Sequence, residues 1–339
     1  MKQERIEWDC GTTGVGVLVS DSLMFQRGDP TPSDPHLSQI YGLAMPLLKH
    51  GLPVTTVQLE NVALPHFLES YRVLLLTYQG MKPLTPEVHS QLASWVKRGG
   101  ILVVCEDDSD PYNTVREWWN SNGRHYRTPR EHLFEQLGFN PAVDRTNWQF
   151  GSGSVLWLRR NPSDLAKSEA GAAAVVAIVK QAAQKGGLSW HDSNYLLLRR
   201  GPYLIAAGLD ESIAGEPKEL HGRFINLFDA QLRVQNDIRL APGARYFLRD
   251  LQTASDAKPQ FLASACRSSH IHNEGNSLSL AVEGVGHTPA VLLVQAPTAP
   301  RSVTLDGQVV TNTVYSSGDK LLWIRFDNDA RSRPMVINY

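Results

Sequence analysis

A cysteine and a histidine are the side chains best suited to covalent chemistry in this chain of 339 residues. Cys105 closes the apolar run Ile101-Leu102-Val103-Val104, just before a loop. That is where an open α/β sheet would present a nucleophile. Trp190-His191-Asp192 offers a base and an acid to orient it. Two features oppose this assembly. Glu106, Asp107, Asp108 and Asp110 disfavour a further negative charge, so they raise the thiol pKa and hinder thiolate formation. His191 and Asp192 are consecutive, and neighbours on an extended segment point to opposite faces. The residues therefore predict a structural Cys105, with Cys105, His191 and Asp192 as weak catalytic candidates.

A second set suits binding. Arg27, Asp108, Trp118 and Trp119 fall on predicted loops at one sheet edge. Aromatic faces beside Arg, Asp and Asn match the C–H faces and hydroxyls of a sugar, so a glycan groove is one reading of this set, and a core or interface role is the favoured one. Tryptophans also anchor cores and interfaces, and Trp95 and Trp323 sit in core patterns. The acidic loop Asp107 to Asn113 lacks EF-hand spacing and reads as a turn with a helix N-cap. His270-Ile271-His272, with Glu274 nearby, would put two imidazoles on one strand face, but no further ligand follows at a metal-site spacing. No metal site is expected. P-loop, HExxH and GxSxG motifs are absent, and Gly14-Val15-Gly16 lies inside a strand rather than after it. No cofactor is expected.

Composition narrows the partners. Lys+Arg is 33 against 34 Asp+Glu, so no basic excess exists to neutralise a phosphate backbone, and nucleic-acid binding is not expected. The most apolar stretch, Ala170 to Val179, is about half the length of a membrane span. Glu4, Glu7 and Asp9 interrupt any signal-peptide core, which predicts a cytoplasmic protein, with secretion left open for a fragment. Cys10, Cys105 and Cys266 are too far apart for a disulfide framework.

The positioning elements follow from periodicity. Gly14–Val19, Pro53–Val57, Val73–Leu76 and Ile101–Cys105 read as buried parallel strands, separated by helical patterns after Asp34-Pro35 and Thr85-Pro86. Residues 113–138 and 164–185 also read as helical. This predicts a doubly wound, flavodoxin-like α/β domain over 1–194, with 1–13 as a linker. Beyond it, over 195–339, short alternating strands with turn signals such as Arg200-Gly201-Pro202, Ala241-Pro242-Gly243 and Asp306-Gly307 predict a β-sandwich.

In this order of elements the first half resembles the class I glutamine amidotransferases. That family holds its cysteine in a G-x-C-x-G elbow, whereas Val103-Val104-Cys105-Glu106-Asp107 has neither glycine. It also supplies H-x-E, where this chain has Trp190-His191-Asp192. An amidotransferase-like domain without its elbow, followed by a β-domain containing Val303-Thr304-Leu305-Asp306-Gly307 and Leu321-Leu322-Trp323-Ile324-Arg325-Phe326, resembles the non-catalytic C-terminal part of family 42 β-galactosidases. The resemblance implies a trimerisation domain, hence a homo-oligomer, serving a catalytic barrel. Such a TIM barrel needs about 250 residues, for which this chain has no room, so no catalytic residues carry over. The chain would be a fragment or a stand-alone relative. The leading expectation is an accessory or oligomerisation module; a carbohydrate-binding protein, or a Cys105/His191 hydrolase or amidotransferase, are the alternatives.

Overall fold

The computed structural model describes residues 5–25, 38–139, 145–255 and 257–339. Contacts divide the chain into an α/β unit, Cys10–Leu196 with Glu211–Gly215, and a β unit that comprises the segment ending at Asp9, Leu197–Asp210 and Glu216–Tyr339. The opening residues are not simply a linker. Strand β1 (Ile6–Trp8) pairs antiparallel within the β unit, setting Ile6 opposite Arg200 and Trp8 opposite Leu198. Its alternation spans only two apolar residues, too few to read against a polar background.

The α/β unit runs β2 (Val15–Val19), α1 (Ser22–Phe25), α2 (Ser38–Lys49), β3 (Thr55–Gln58), β4 (Val73–Leu76), α3 (Glu87–Lys97), β5 (Ile101–Cys105), α4 (Pro129–Gln136), β6 (Asn147–Phe150), β7 (Gly153–Leu158), α5 (Pro162–Leu165) and α6 (Glu169–Lys185). The sheet order is β3-β2-β4-β5-β7-β6; the first five strands are parallel and β6 runs antiparallel to β7. Every residue of β4 and β5 is buried, as central parallel strands require. Helices α2, α5 and α6 pack together, as do α3 and α4. The closest approach needs Gly42, where a Cβ would lie 2.1 Å from the Pro162 carbonyl oxygen.

Two expected helices are broken. Within 113–138 only α4 is an α-helix, because Asn122 and Gly123 turn the chain with φ of 53° and 84°. Thr128 and Pro129 then restart it as N-cap and first helical residue. The 164–185 helix divides into α5 and α6, since Ser168 leaves helical geometry and accepts the Gly171 N–H at 3.1 Å. Among the described residues no helix is long and apolar enough to cross a membrane.

In the β unit, β8 (Tyr195–Arg200), β9 (Tyr203–Gly208), β10 (Glu219–Asn226), β11 (Val234–Arg239) and β12 (Arg245–Asp250) join β1 in the order β1-β8-β9-β12-β10-β11. The turn at Ala241-Pro242-Gly243 does not make a hairpin, because β10 lies between β11 and β12. There follow β13 (Gln260–Ser264), β14 (Arg267–Glu274), β15 (Ser277–Glu283), β16 (Pro289–Gln295), β17 (Ser302–Leu305), β18 (Gln308–Val309), β19 (Thr313–Ser316), β20 (Leu321–Asp327) and β21 (Arg333–Asn338). They form sheets β13-β16-β20-β19 and β14-β15-β21-β17-β18. Alternate residues of both sheets, among them Leu278, Leu280, Leu292, Val294, Leu322 and Ile337, fill one core. A sandwich therefore occupies the chain from Gln260 onward, and the strands before it build a separate sheet. Alternation looks the same in any antiparallel sheet with one covered face, so the sequence did not separate the two.

Candidate ligand crevice at the carboxyl edge of the parallel sheet

The loops leaving β2, β4 and β5 meet at the carboxyl edge, and ionisable side chains tie them together. Ser22 links the first two loops: its hydroxyl donates to the Lys82 carbonyl oxygen at 2.6 Å, while Ser20 donates to Glu60 Oε1 at 2.6 Å. Lys82, with its side chain 7% exposed, donates from Nζ to Asp110 Oδ2 at 2.7 Å and to the Tyr78 carbonyl oxygen. Burial lowers the Lys82 pKa, and Asp110 opposes that shift. Asp110 also caps the turn after β5, accepting the Tyr112 N–H at 2.9 Å.

Deeper in, Arg130 on α4 joins two carboxylates of the β5 exit. Its Nε donates to Asp108 Oδ1 at 2.9 Å and lies 3.2 Å from Glu106 Oε1, with a geometry that leaves that oxygen without a hydrogen bond. The guanidinium also stacks 4.3 Å from the Trp157 ring centroid and 4.7 Å from that of Phe134. Glu106 accepts the Tyr78 N–H at 2.8 Å. Burial, reinforced by Asp108 and opposed by Arg130, pushes its carboxyl up to about 7. Asp108 is in the left-handed region, with φ of 63°, a conformation that costs a non-glycine residue about 1–3 kcal/mol.

Beside this network runs a buried relay. The Tyr78 hydroxyl is 2.6 Å from His89 Nε2, and His89 Nδ1 is 2.7 Å from His132 Nδ1. Each contact needs one donor and one acceptor, so the proton positions of the two rings are coupled. Burial lowers both pKa values, with His132 adding to the effect at His89. The Trp118 ring meets His89 and His132 edge-on, at 5.6 Å and 5.3 Å between centroids.

Most of the expected site residues have structural roles here. Cys105 is fully buried at the end of β5, and burial, followed by Glu106, pushes its thiol up to about 12. The His191 backbone bonds Thr12 just before β2, which places it at the amino edge of the sheet, opposite Cys105. Asp192 accepts from His50 Nδ1 and Trp190 Nε1, each at 2.9 Å. Cys105 is therefore not brought together with His191 or Asp192. Asp108 is held by Arg130, Trp118 Nε1 donates to the Pro83 carbonyl oxygen at 2.8 Å, and Trp119, only 2% exposed, donates to that of Asn113 at 3.0 Å. Arg27 lies outside the described residues. His270 and His272 lie on β14, where a register shift and a φ of 50° at His270 break the expected alternation. Among the described residues no three His, Cys, Asp or Glu side chains are grouped to hold a metal.

What opens at this edge is a crevice of about 350 Å³, lined by Ser22, Lys82, Pro83, Leu84, Tyr112, Val115, Glu117 and Trp119. It lies where open α/β sheets take ligands. Leu84, Tyr112 and Val115 on its rim are 52%, 40% and 46% exposed. The walls offer apolar contact, the paired Lys82 ammonium group and the Glu117 carboxylate. A cavity of about 440 Å³ with Arg72, Trp95 and Arg98 in its lining sits at the amino edge, away from the carboxyl ends of the strands.

Sequence reasoning missed Tyr78, Lys82, His89, Arg130 and His132. One signal pointed to Arg130: a cation in the first turn of a helix opposes the helix dipole, which calls for a specific carboxylate partner.

No protein-family model and no curated protein matches this chain. Among solved structures it is similar to Gan42B, a GH42 β-galactosidase, with 13% identity over 70% of this chain and 40% of that one and a TM-score of 0.40. A β-galactosidase from Bacillus circulans sp. alkalophilus gives 12% identity over 71% and 42%, with a TM-score of 0.41. An exo-carrageenase GH42 from Bacteroides ovatus gives 9% over 96% and 29%, with a TM-score of 0.28. The chain thus spans about two fifths of the length of the two β-galactosidases it matches.

Proposed function

We propose that this chain is a non-catalytic accessory and assembly module of a glycoside-hydrolase-like protein, pairing a flavodoxin-like, amidotransferase-like domain that ends near residue 194 with a β-rich domain. The strand order β3-β2-β4-β5-β7 supports the flavodoxin-like reading, since it is the doubly wound order with the first strand second in the sheet. One observation carries the non-catalytic reading. At the strand end where this fold would expose a nucleophile, Cys105 is sealed, Asp108 is bound to Arg130 and Asp110 to Lys82. Removing Arg130 or Asp110 would cost stability rather than free a reagent.

The assembly reading draws on the apolar rim formed by Leu84, Tyr112 and Val115, which suits burial against a second copy or a catalytic barrel. Sedimentation velocity over about 1–200 μM tests it, because a self-associating protein gains mass with concentration. The chain should form a defined oligomer, and Val115→Glu should shift it toward monomer. A chain monomeric throughout that range contradicts self-assembly.

A further inference from the structure

The indole N–H groups of Trp118 and Trp119, singled out by the sequence as suited to a sugar, are spent on backbone carbonyl oxygens, and the β unit carries another aromatic set that is more open. Phe228, in the loop after β10, is 69% exposed. Its ring lies 6.3 Å from that of Phe247 on β12, which in turn lies 5.6 Å from Tyr203 on β9. Arg249 steadies the far end, with its guanidinium 5.2 Å from the Tyr203 ring centroid. Together with Phe261 on β13, these rings line a groove of about 520 Å³, within the range of small-ligand sites.

We propose that this groove binds an uncharged saccharide, with pyranose faces stacked on Phe228, Phe247 and Tyr203. Its polar lining fits that chemistry. The Ser264 hydroxyl spends its hydrogen on the Cys266 carbonyl oxygen at 2.6 Å, so Ser268, 3.0 Å away, must donate to Ser264. Both serine oxygens keep acceptor capacity for ligand hydroxyls. Asp229 also lines the groove, with its carboxylate oxygens accepting the Gln231 N–H at 3.0 Å and Arg233 Nε at 2.8 Å. Among the described residues the lining holds two serine hydroxyls and one carboxylate but no lysine or arginine, which favours neutral hydroxyl donors over phosphates or carboxylates.

The edge of the sheet adds to this. Among the described residues strand β13 pairs with β16 alone, so it is an edge strand, and it lines the groove. A register shift between Phe261 and Ala263 kinks that edge, which disfavours continuous pairing with an added peptide strand. A short saccharide needs no such continuity. The inference is independent of the carboxyl-edge crevice and of the assembly reading.

Saturation-transfer difference NMR on the full chain tests the inference, with lactose, cellobiose and maltose as probes at about 10 mM, where weak binding registers. At least one disaccharide should receive saturation on its ring C–H protons. Phe228→Ala, at an exposed position, should keep the thermal midpoint and lower the affinity at least about fivefold, the scale expected on losing one ring contact. Transfer to none of the three, or transfer undiminished in a folded Phe228→Ala, overturns the proposal. So does a groove that binds no sugar and whose Phe228→Ala variant instead loses oligomer mass, since a second copy would then be its occupant.

Discussion

Arg130 holds Asp108 through Nε at 2.9 Å and lies against Glu106 Oε1 at 3.2 Å, so one guanidinium serves two carboxylates at the exit of β5. Arg130 and Glu106 have side chains only 3% and 2% exposed. Arg130→Ala would remove the charged hydrogen bond to Asp108 and the counter-charge of Glu106, which then takes up a proton, for a loss of about 1.5–3 kcal/mol. Urea unfolding at neutral pH should show a loss of this size. Arg130→Lys should recover only part of it, because an ammonium cannot reproduce the guanidinium fork.

Glu106 should give the fold an unusual slope with pH. Its carboxyl rises from the ordinary 4.5 to about 7, so the folded chain keeps a proton that the unfolded chain has released. The stability from this group is fully present below 4.5 and is lost as pH rises through about 7. Glu106→Gln preserves an acceptor for the Tyr78 N–H and removes the titration. At about pH 8 it should match or exceed the parent by about 1–2 kcal/mol, and the fall between the two pKa values should flatten.

The His89–His132 pair acts in the opposite direction. Burial lowers both pKa values below 6.5, so in acid the unfolded chain binds protons that the folded pair refuses. Their contribution is undisturbed above about pH 6.5 and becomes a growing penalty as pH falls below it. His132→Phe leaves His89 Nδ1 without its partner, for a loss of about 1–3 kcal/mol at pH 8, and should make the acid slope shallower. Thermal unfolding followed by circular dichroism across pH reads both effects.

The fold and the site differed in how far the sequence revealed them. Val73–Leu76 and Ile101–Cys105 were legible to the residue because a buried parallel strand is an unbroken apolar run with turn signals at its ends. Asn122-Gly123 carries an equally plain turn signal, yet the helical spacing on either side concealed it. Of the four acids expected to oppose a thiolate at Cys105, Glu106 does so, second to burial itself, while the pairing of Glu106, Asp108 and Asp110 with Arg130 and Lys82 was not foreseen. Those partners come from α4 and the β4 loop, 20 or more residues away in sequence, and only packing brings them together. The histidine relay was illegible for the same reason: His89 and His132 lie on separate helices that a single sequence does not place side by side.

The central claim is that the carboxyl edge holds no thiol active site, and alkylation of Cys105 tests it most directly. Iodoacetamide labelling of the native chain can be followed by peptide mass spectrometry over about pH 5–9, with Cys10 and Cys266 as internal comparisons. With its thiol buried and pushed up to about 12, Cys105 should be the slowest of the three and should react only as the chain unfolds. Preferential labelling of Cys105 below about pH 7 would contradict the account, since only an exposed, activated thiolate reacts in that way.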